Sequence, residues 1–427
     1  MKTLLVTGLL VSIAPFLFAQ EIGAIINSKE AERIEKVLAS DEMRGRKAFS
    51  PDIEKAADFI ASEFKAAGLK TWDNENSFHQ DFALARMKQV NLTATFEGSS
   101  VDPQRIVVVT TETEITIDQS SGYSTRQIKA GTDLFIEATS AAGAPKNMIV
   151  LVDSSFVNNF PRLTFFKRSR FKSDKNIVFI LGSELPKNFR ISATHEVKEQ
   201  KAANVVGVLP GKSKKDEIVI FSGHYDHLGV GKSVNGDSIF NGANDDAAGI
   251  TAVILLAKYF AAIKNNERTL VFAAFTAEEL GGYGSQFFSQ KFHPEKVMAM
   301  FNIEMIGTES KWGKNSAYIS GFEKSDMGSI LQKNLEGSGF TFHPDPYPAM
   351  QLFYRSDNAT LARLGVPAHS ISTSKMDAEP NYHKVTDEVS TLDLENMAMV
   401  IKSIALSSKT IVAGKDTPSR VEKEEPR

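Results

Sequence analysis

The 427-residue chain has no cysteine and only two tryptophans. Without thiols it can form no disulfide, no thiolate metal site and no lipid-modified cysteine. Any metal would have to be held by histidine and carboxylate side chains. Positive charge is not in excess either. The formal net charge is -3, which argues against a nucleic-acid partner, because phosphate binding needs a concentrated basic face. Beyond the N-terminal segment, no stretch reads as apolar enough to cross a bilayer. What is present is ordinary for a soluble globular protein, with 42% hydrophobic and 24% charged residues. The length suggests one large domain carrying an insertion, or two domains. Phenylalanine is abundant, at 29 residues, and the sequence alone attaches no function to it.

The first residues read as a targeting signal. Lys2 supplies a positive start, Leu4 to Phe18 form an apolar stretch interrupted by Pro15, and the small residue Ala19 precedes Gln20 and Glu21. This is the pattern of a secretory signal peptide, residues 1–19, cut near Ala19, and it is short for a membrane span. An uncleaved membrane anchor is the alternative. The signal implies export to the periplasm or the extracellular space, with no stable membrane insertion after cleavage.

Helical spacing of apolar residues marks 28–39 and 53–67. In the second, Ile53, Ala56, Ala57, Ile60, Phe64 and Ala67 share a face and Gly68 is a C-terminal stop. From 89 to 199 the texture changes to short β-rich runs (91–96, 105–110, 148–152, 176–181) separated by Gly, Ser, Pro and Asn. That stretch reads as a β-rich insertion or accessory domain. From about residue 200, apolar strands (217–222, 269–276, 297–305, 366–372) alternate with helices, the longest over 247–263. Apolar strands interleaved with helices predict a three-layer α/β/α domain built on a mostly parallel mixed sheet. The expected division is thus 20–88 as the helical start of the catalytic domain, 89–199 as the insertion, 200–411 as the rest of the catalytic domain, and 412–427 as a disordered charged tail.

Strand ends are where an open α/β sheet places its ligands, and here they carry polar residues that the strands do not explain. Gly223-His224-Tyr225-Asp226-His227 puts His224 and Asp226 on one face of an extended chain, with His227 turned away. A carboxylate so placed can fix the tautomer of a metal-bound imidazole. The alternative is a pair of surface histidines. In Asn244-Asp245-Asp246, before the long helix, one aspartate is accounted for as an N-cap. The other suits a carboxylate shared by two cations. Ala277-Glu278-Glu279-Leu280-Gly281 follows an apolar strand, and two adjacent glutamates there are costly if buried unpaired. The bland alternative is a solvated acidic turn. Glu304 ends another apolar strand, and His383 lies in a loop before the last helix. Singly these last two are ambiguous, but together the motifs supply two histidines, three carboxylates and one spare glutamate. That is what two zinc ions and a general base require when thiolates are absent.

In this arrangement the chain resembles the di-zinc aminopeptidase family, which includes secreted bacterial leucyl aminopeptidases and, more distantly, glutamate carboxypeptidase II. The resemblance covers residues 28–67 and 203–408 and rests on HYD, GANDD, AEELG, NIEMIG and YHKVTD in the family's order. It implies two Zn²⁺ per chain, with His224 and Glu304 on one, Glu279 and His383 on the other, Asp245 bridging, and Glu278 as catalytic base. It further implies Asp226 as the carboxylate behind His224, and a cis peptide between Asp245 and Asp246. Two positions depart from the family: most relatives have Asp where Glu304 stands, and often His where Asn358 stands. The expected activity is an exported zinc exopeptidase, foremost an aminopeptidase acting on a peptide substrate. Alternatives are a carboxypeptidase or dipeptidase on the same site, a single-zinc glutaminyl cyclase, and a non-catalytic binding module. Substrate preference, oligomeric state and the role of 89–199 are not legible.

Overall fold

A computed structural model of the chain describes residues 22–74 and 76–424. The expected signal peptide, 1–19, lies outside the described residues. The chain divides into two compact units, one made of residues up to 81 together with 203–424, the other of 82–202.

The first unit is built on a mixed sheet. Its strands run in the order Thr341–Pro344, Ser316–Ile319, Ala368–Ser372, Val297–Ile303, Lys214–His224, Arg268–Phe275, followed by the end of Phe189–Leu209. The four strands from Ala368–Ser372 to Arg268–Phe275 are mutually parallel, so their carboxyl ends open on one edge. Their side chains alternate between two cores, as a period of two requires. Val219, Phe221, Leu270, Phe272, Ala299 and Phe301 join the core with the helices Ser28–Leu38, Pro51–Ala66, Ala248–Ile263 and Leu394–Ser407. Ile220, Val271, Ala273, Phe275 and Met300 join the other core, with Phe288, Leu361 and Ala362. Helices on both faces make this the expected three-layer α/β/α fold.

Part of the phenylalanine content is explained here. Phe221 stacks at 5.6 Å on Phe272 and 4.8 Å on Phe301, its register partners on the two adjacent strands, and at 5.4 Å on Phe260 of the long helix. Each such offset pair adds about 0.5–1.5 kcal/mol beyond area burial. That long helix corrects one expectation. Ala243–Ile263 is long and apolar enough, by length and composition, to cross a bilayer, but 78% of its apolar 18-residue stretch is buried inside the protein. It is a core helix, apolar all round because neighbours surround it.

The second unit is not simply β-rich. Its four-stranded sheet runs Ile106–Val109, Ile177–Leu181, Met148–Val152, Ser124–Ile128, with the last three parallel. A parallel neighbour needs a crossover, and Leu134–Ala142 supplies it as a helix. Asp133 caps that helix by accepting from the main-chain N–H groups of Phe135 and Ile136. At nine residues the helix has too few turns to show a clear apolar period. The unit boundaries, 81/82 and 202/203, differ from the expected 88/89 and 199/200 because the strands His79–Phe96 and Phe189–Leu209 run on past those points.

The expected disordered tail is also corrected over its described part, 412–424. Buried Arg268 donates to the carbonyls of Ile411 (2.8 Å) and Asp416 (2.6 Å) and to the hydroxyl of Thr417. Val421 is buried in the second core, and its N–H meets the Gly365 carbonyl at 3.2 Å. The segment is ordered by main-chain partners and one valine, neither of which registers as periodicity. Ending the chain at Ala413 exposes Val421's site and removes the Asp416 and Thr417 acceptors of Arg268, and should cost about 2–4 kcal/mol. A thermal midpoint equal to that of the full chain would contradict this account of the tail.

Candidate metal centre

The strand Lys214–His224 ends at His224, and the chain then turns instead of continuing extended. That turn sets the geometry of the centre, modifies the expected role of Asp226 and overturns the expected orientation of His227. Nδ1 of His224 faces the main-chain carbonyl of Asp226 at 3.0 Å, while the Asp226 carboxylate stays 3.8 Å away. The ring is therefore held by Asp226's backbone, and its carboxylate does other work. Oδ1 accepts from the N–H of Glu278 at 3.0 Å and Oδ2 from that of Glu279 at 3.4 Å. Burial raises the Asp226 pKa to about 7, with His224 opposing. His227, expected to point away, is instead brought inward, its N–H held by the carbonyl of Arg46 at 3.1 Å.

With Nδ1 donating to a carbonyl, Nε2 of His224 presents its lone pair, 3.3 Å from Asp245 Oδ1 and 3.3 Å from Glu304 Oε1. These three atoms form one cluster with the spacing of a metal-ligand set. A second cluster, of His227, Asp245 and Glu279, shares Asp245. His227 Nδ1 lies 2.9 Å from Glu279 Oε1 and 3.8 Å from Asp245 Oδ2. His383 Nε2 joins it, 3.2 Å from Asp245 Oδ2 and 3.4 Å from Glu279 Oε1. Although Nδ1 of His227 and Oε1 of Glu279 are close, neither is aligned for a hydrogen bond, and both are buried without a hydrogen-bond partner. Buried polar atoms are rarely left so. Lone pairs converging on a common point fit a cation, and the donor set of imidazole nitrogen and carboxylate oxygen suits a divalent metal.

Electrostatics agree. Burial opposes charge on His224, but Glu304 and Asp245 outweigh it and hold the pKa well above the ordinary value. Burial likewise works against the Glu279 and Asp245 carboxylates, yet the histidines hold Glu279 down at about 2 and Asp245 below the usual carboxylate range. The close carboxylates of Asp245 and Glu279 raise His383 to about 10. Each group's pKa is displaced toward keeping positive charge beside the carboxylates.

Asp245 is positioned from both sides. Its N–H and that of Asn244 donate to Asp387 at 3.0 and 2.8 Å. The peptide joining it to Asp246 is cis. Asp246 is the helix-capping aspartate: it accepts from Gly249 N–H at 3.0 Å, from Met305 N–H at 3.0 Å and from His224 N–H at 3.2 Å. A Cβ on Gly249 would fall 2.2 Å from the Ile303 carbonyl oxygen, so only glycine lets the helix start this close to the strand. Gly242, at φ +59, leaves similar room for the His227 ring.

Sequence reasoning missed Arg46. Its buried guanidinium donates to the carbonyls of Leu38, Tyr225, Asn241 and Gly242 at 2.6–2.8 Å. It thereby ties the His224 turn to the Asp245 turn and sets a fixed cation near Asp245, Asp226 and Asp387. No motif announced it; the only trace is Gly45 beside it, whose φ of +67 and tight packing on Gly229 and Phe240 leave no space for a side chain.

Glu278, Glu279, Asp245, Glu304, His224 and His383 all line one cavity with about 590 Å³ of empty space. This is an open cleft over two adjoining cation-sized clusters, with a spare glutamate in its wall. The model of peptidase family M28 matches residues 204–407. Over those residues, just under half of the chain, the sequence is similar to that family. Among solved structures, the chain is similar to an aminopeptidase from Aneurinibacillus sp. strain AM-1, at 18% identity and TM-score 0.54, covering 96% of this chain and 98% of that one. It is also similar to BSAP, a zinc aminopeptidase from Bacillus subtilis, at 17% identity and TM-score 0.55, over 94% and 99% of the two chains. At such identities these likenesses establish the fold. A curated relative, a probable zinc metalloprotease from Pyricularia oryzae, is 37% identical over 112 residues, 26% of this chain and 22% of that protein. The match thus spans about a fifth of that relative's length.

Within the matched segment, the two departures resolve differently. Glu304 follows the strand Val297–Ile303; one oxygen faces His224 and the other accepts from Ser356 Oγ at 2.6 Å, which fixes the longer side chain. Asn358 is fully buried away from the donors, donating to the carbonyls of Phe353 and Ala368 and accepting from Ser370. His227→Ala should weaken retention of one metal ion about 10–100-fold while leaving the His224 cluster loaded. Metal content after dialysis against graded chelator measures this. A wild-type retention curve would remove His227 from the set.

Proposed function

We propose that the chain is an exported, zinc-dependent aminopeptidase with Glu278 as general base. The observation that carries this reading is the placement of Glu278 in the cleft wall, next in sequence to Glu279 of one donor cluster and facing the same cavity as the other. His224, Asp245 and Glu304 would hold one Zn²⁺, and His227, Asp245, Glu279 and His383 a second. Two such ions supply Lewis acidity toward the scissile carbonyl and a lowered pKa for the attacking water.

The remaining work falls to the chain's own groups. Burial and the neighbouring carboxylates of Asp357, Glu304 and Asp226 push the Glu278 pKa well above the usual range, with His224 opposing. A carboxylate so raised accepts a proton from water more readily and can pass it to the leaving amine. The backbone N–H of Glu278, anchored on Asp226, holds the carboxylate in place. Arg46 and Asp387 keep the loops that bear the donors in register. The likeness of the fold to two solved aminopeptidases supports the aminopeptidase reading over a carboxypeptidase. The N-terminal signal read from the sequence supports export, with a mature chain beginning near Gln20.

Glu278→Gln should lower kcat by about 10²–10⁴-fold with bound zinc and thermal midpoint unchanged. Wild-type turnover by this variant would show that another group is the base. The parent enzyme should cleave aminoacyl substrates with a free amine, lose that activity with chelator, and leave N-acetylated analogues intact. Equal cleavage of blocked and unblocked substrates would contradict the aminopeptidase assignment.

A further inference from the structure

Arg355 is the one lysine or arginine among the residues lining the metal-site cavity, whose other charged groups are the carboxylates and histidines of the donor clusters and Glu278. It also lines a second cavity, with about 880 Å³ of empty space, which shares Glu278, Glu279, Arg355 and Ser356 with the first. A peptide whose scissile bond faces Glu278 therefore has Arg355 beside it at the border of the two spaces. Despite that acidic surround, no carboxylate among the described residues pairs with Arg355 within 4.0 Å, whereas Arg363, the other cation of the second cavity, is engaged by Glu424 at 3.2 Å.

The base of Arg355 is held on both sides. Before it, Phe353 is buried against Gly321, where a Cβ would come within 2.3 Å of the ring, and its carbonyl accepts from Asn358 at 2.8 Å. After it, Ser356 donates to Glu304 at 2.6 Å and accepts from Asn302 at 2.8 Å. A guanidinium is a planar fork of donors that matches a carboxylate in two-point contact. On a fixed base, beside the cleft and with no carboxylate partner among the described residues, it is left for a ligand.

We propose that Arg355 is a specificity-determining residue that binds a substrate carboxylate on the leaving-group side of the scissile bond. This rests on the peptidase reading above. The carboxylate has two sources: the free C-terminus of a dipeptide, or an acidic side chain following the scissile bond.

The holoenzyme and its Arg355→Gln variant are compared on Leu-Ala against Leu-Ala-amide, and on Leu-Glu-amide against Leu-Gln-amide. The parent should favour the carboxylate-bearing member of one pair, and the variant should lose about tenfold of that kcat/KM ratio, about 1.4 kcal/mol. Loss in the first pair identifies the C-terminus, and loss in the second identifies the side chain. Ratios unchanged within about twofold in both pairs, or a variant slowed equally on all four substrates, would overturn the proposal. Calorimetric binding of the reduced-bond forms of all four compounds, none of which can be cleaved, gives the same ratios without turnover. A parent that binds but never cleaves would sink the peptidase reading and still decide the role of Arg355.

Discussion

Crowded negative charge is the constraint from which the catalytic unit's architecture follows. Asp226, Asp245, Asp246, Glu278, Glu279, Glu304, Asp357 and Asp387 gather around the ends of a few strands, and several are fully buried. Two like charges about 4 Å apart cost about 4 kcal/mol at an effective dielectric of 20. The fold offsets this in three ways. Asp226, Asp246 and Asp387 accept from main-chain N–H donors, which offset part of the cost of their burial. Arg46 contributes one permanent buried cation. What remains, the convergence of Asp245, Glu279 and Glu304 on histidine lone pairs, is left for metal ions.

The sheet makes this convergence possible. Four parallel strands deliver His224, Glu278–Glu279, Glu304 and the loop bearing His383 to one edge, while apolar cores on both faces hold the strands rigid. The Phe221 stack locks three of those strands to the long helix, and that helix begins directly after Asp245 and Asp246. Stability is thus concentrated away from the cleft, and the cleft is free to hold groups that destabilise one another.

Much of this is legible in the sequence, because unbroken apolar runs that end abruptly in acids and histidines mark strands whose tips face a polar site. The α/β/α layering, the clustering of His224, Asp245, Glu279, Glu304 and His383, and the position of Glu278 beside them all follow from that pattern and the resemblance it carries. The misplacements share a cause. A chain that stayed extended past His224 would put the Asp226 carboxylate directly on the ring and turn His227 away, but the chain turns there, so the Asp226 main-chain carbonyl meets Nδ1 first, with the carboxylate 3.8 Å off, and His227 comes inward. Arg46, Asp387 and the 412–424 segment act through main-chain carbonyls and N–H groups, which carry no sequence signature. The helix at 134–142 is too short for its period to stand out, so the second unit reads as more purely β than it is.

We propose that the two donor clusters, which share Asp245, would each hold a metal ion. Anomalous diffraction from crystals of the zinc-loaded protein, collected on either side of the zinc absorption edge, tests it most directly. The account predicts two edge-dependent peaks about 3.5–4 Å apart, one beside His224 and Glu304 and the other beside His383 and Glu279. A single peak, or zinc bound elsewhere with these side chains empty, would contradict it.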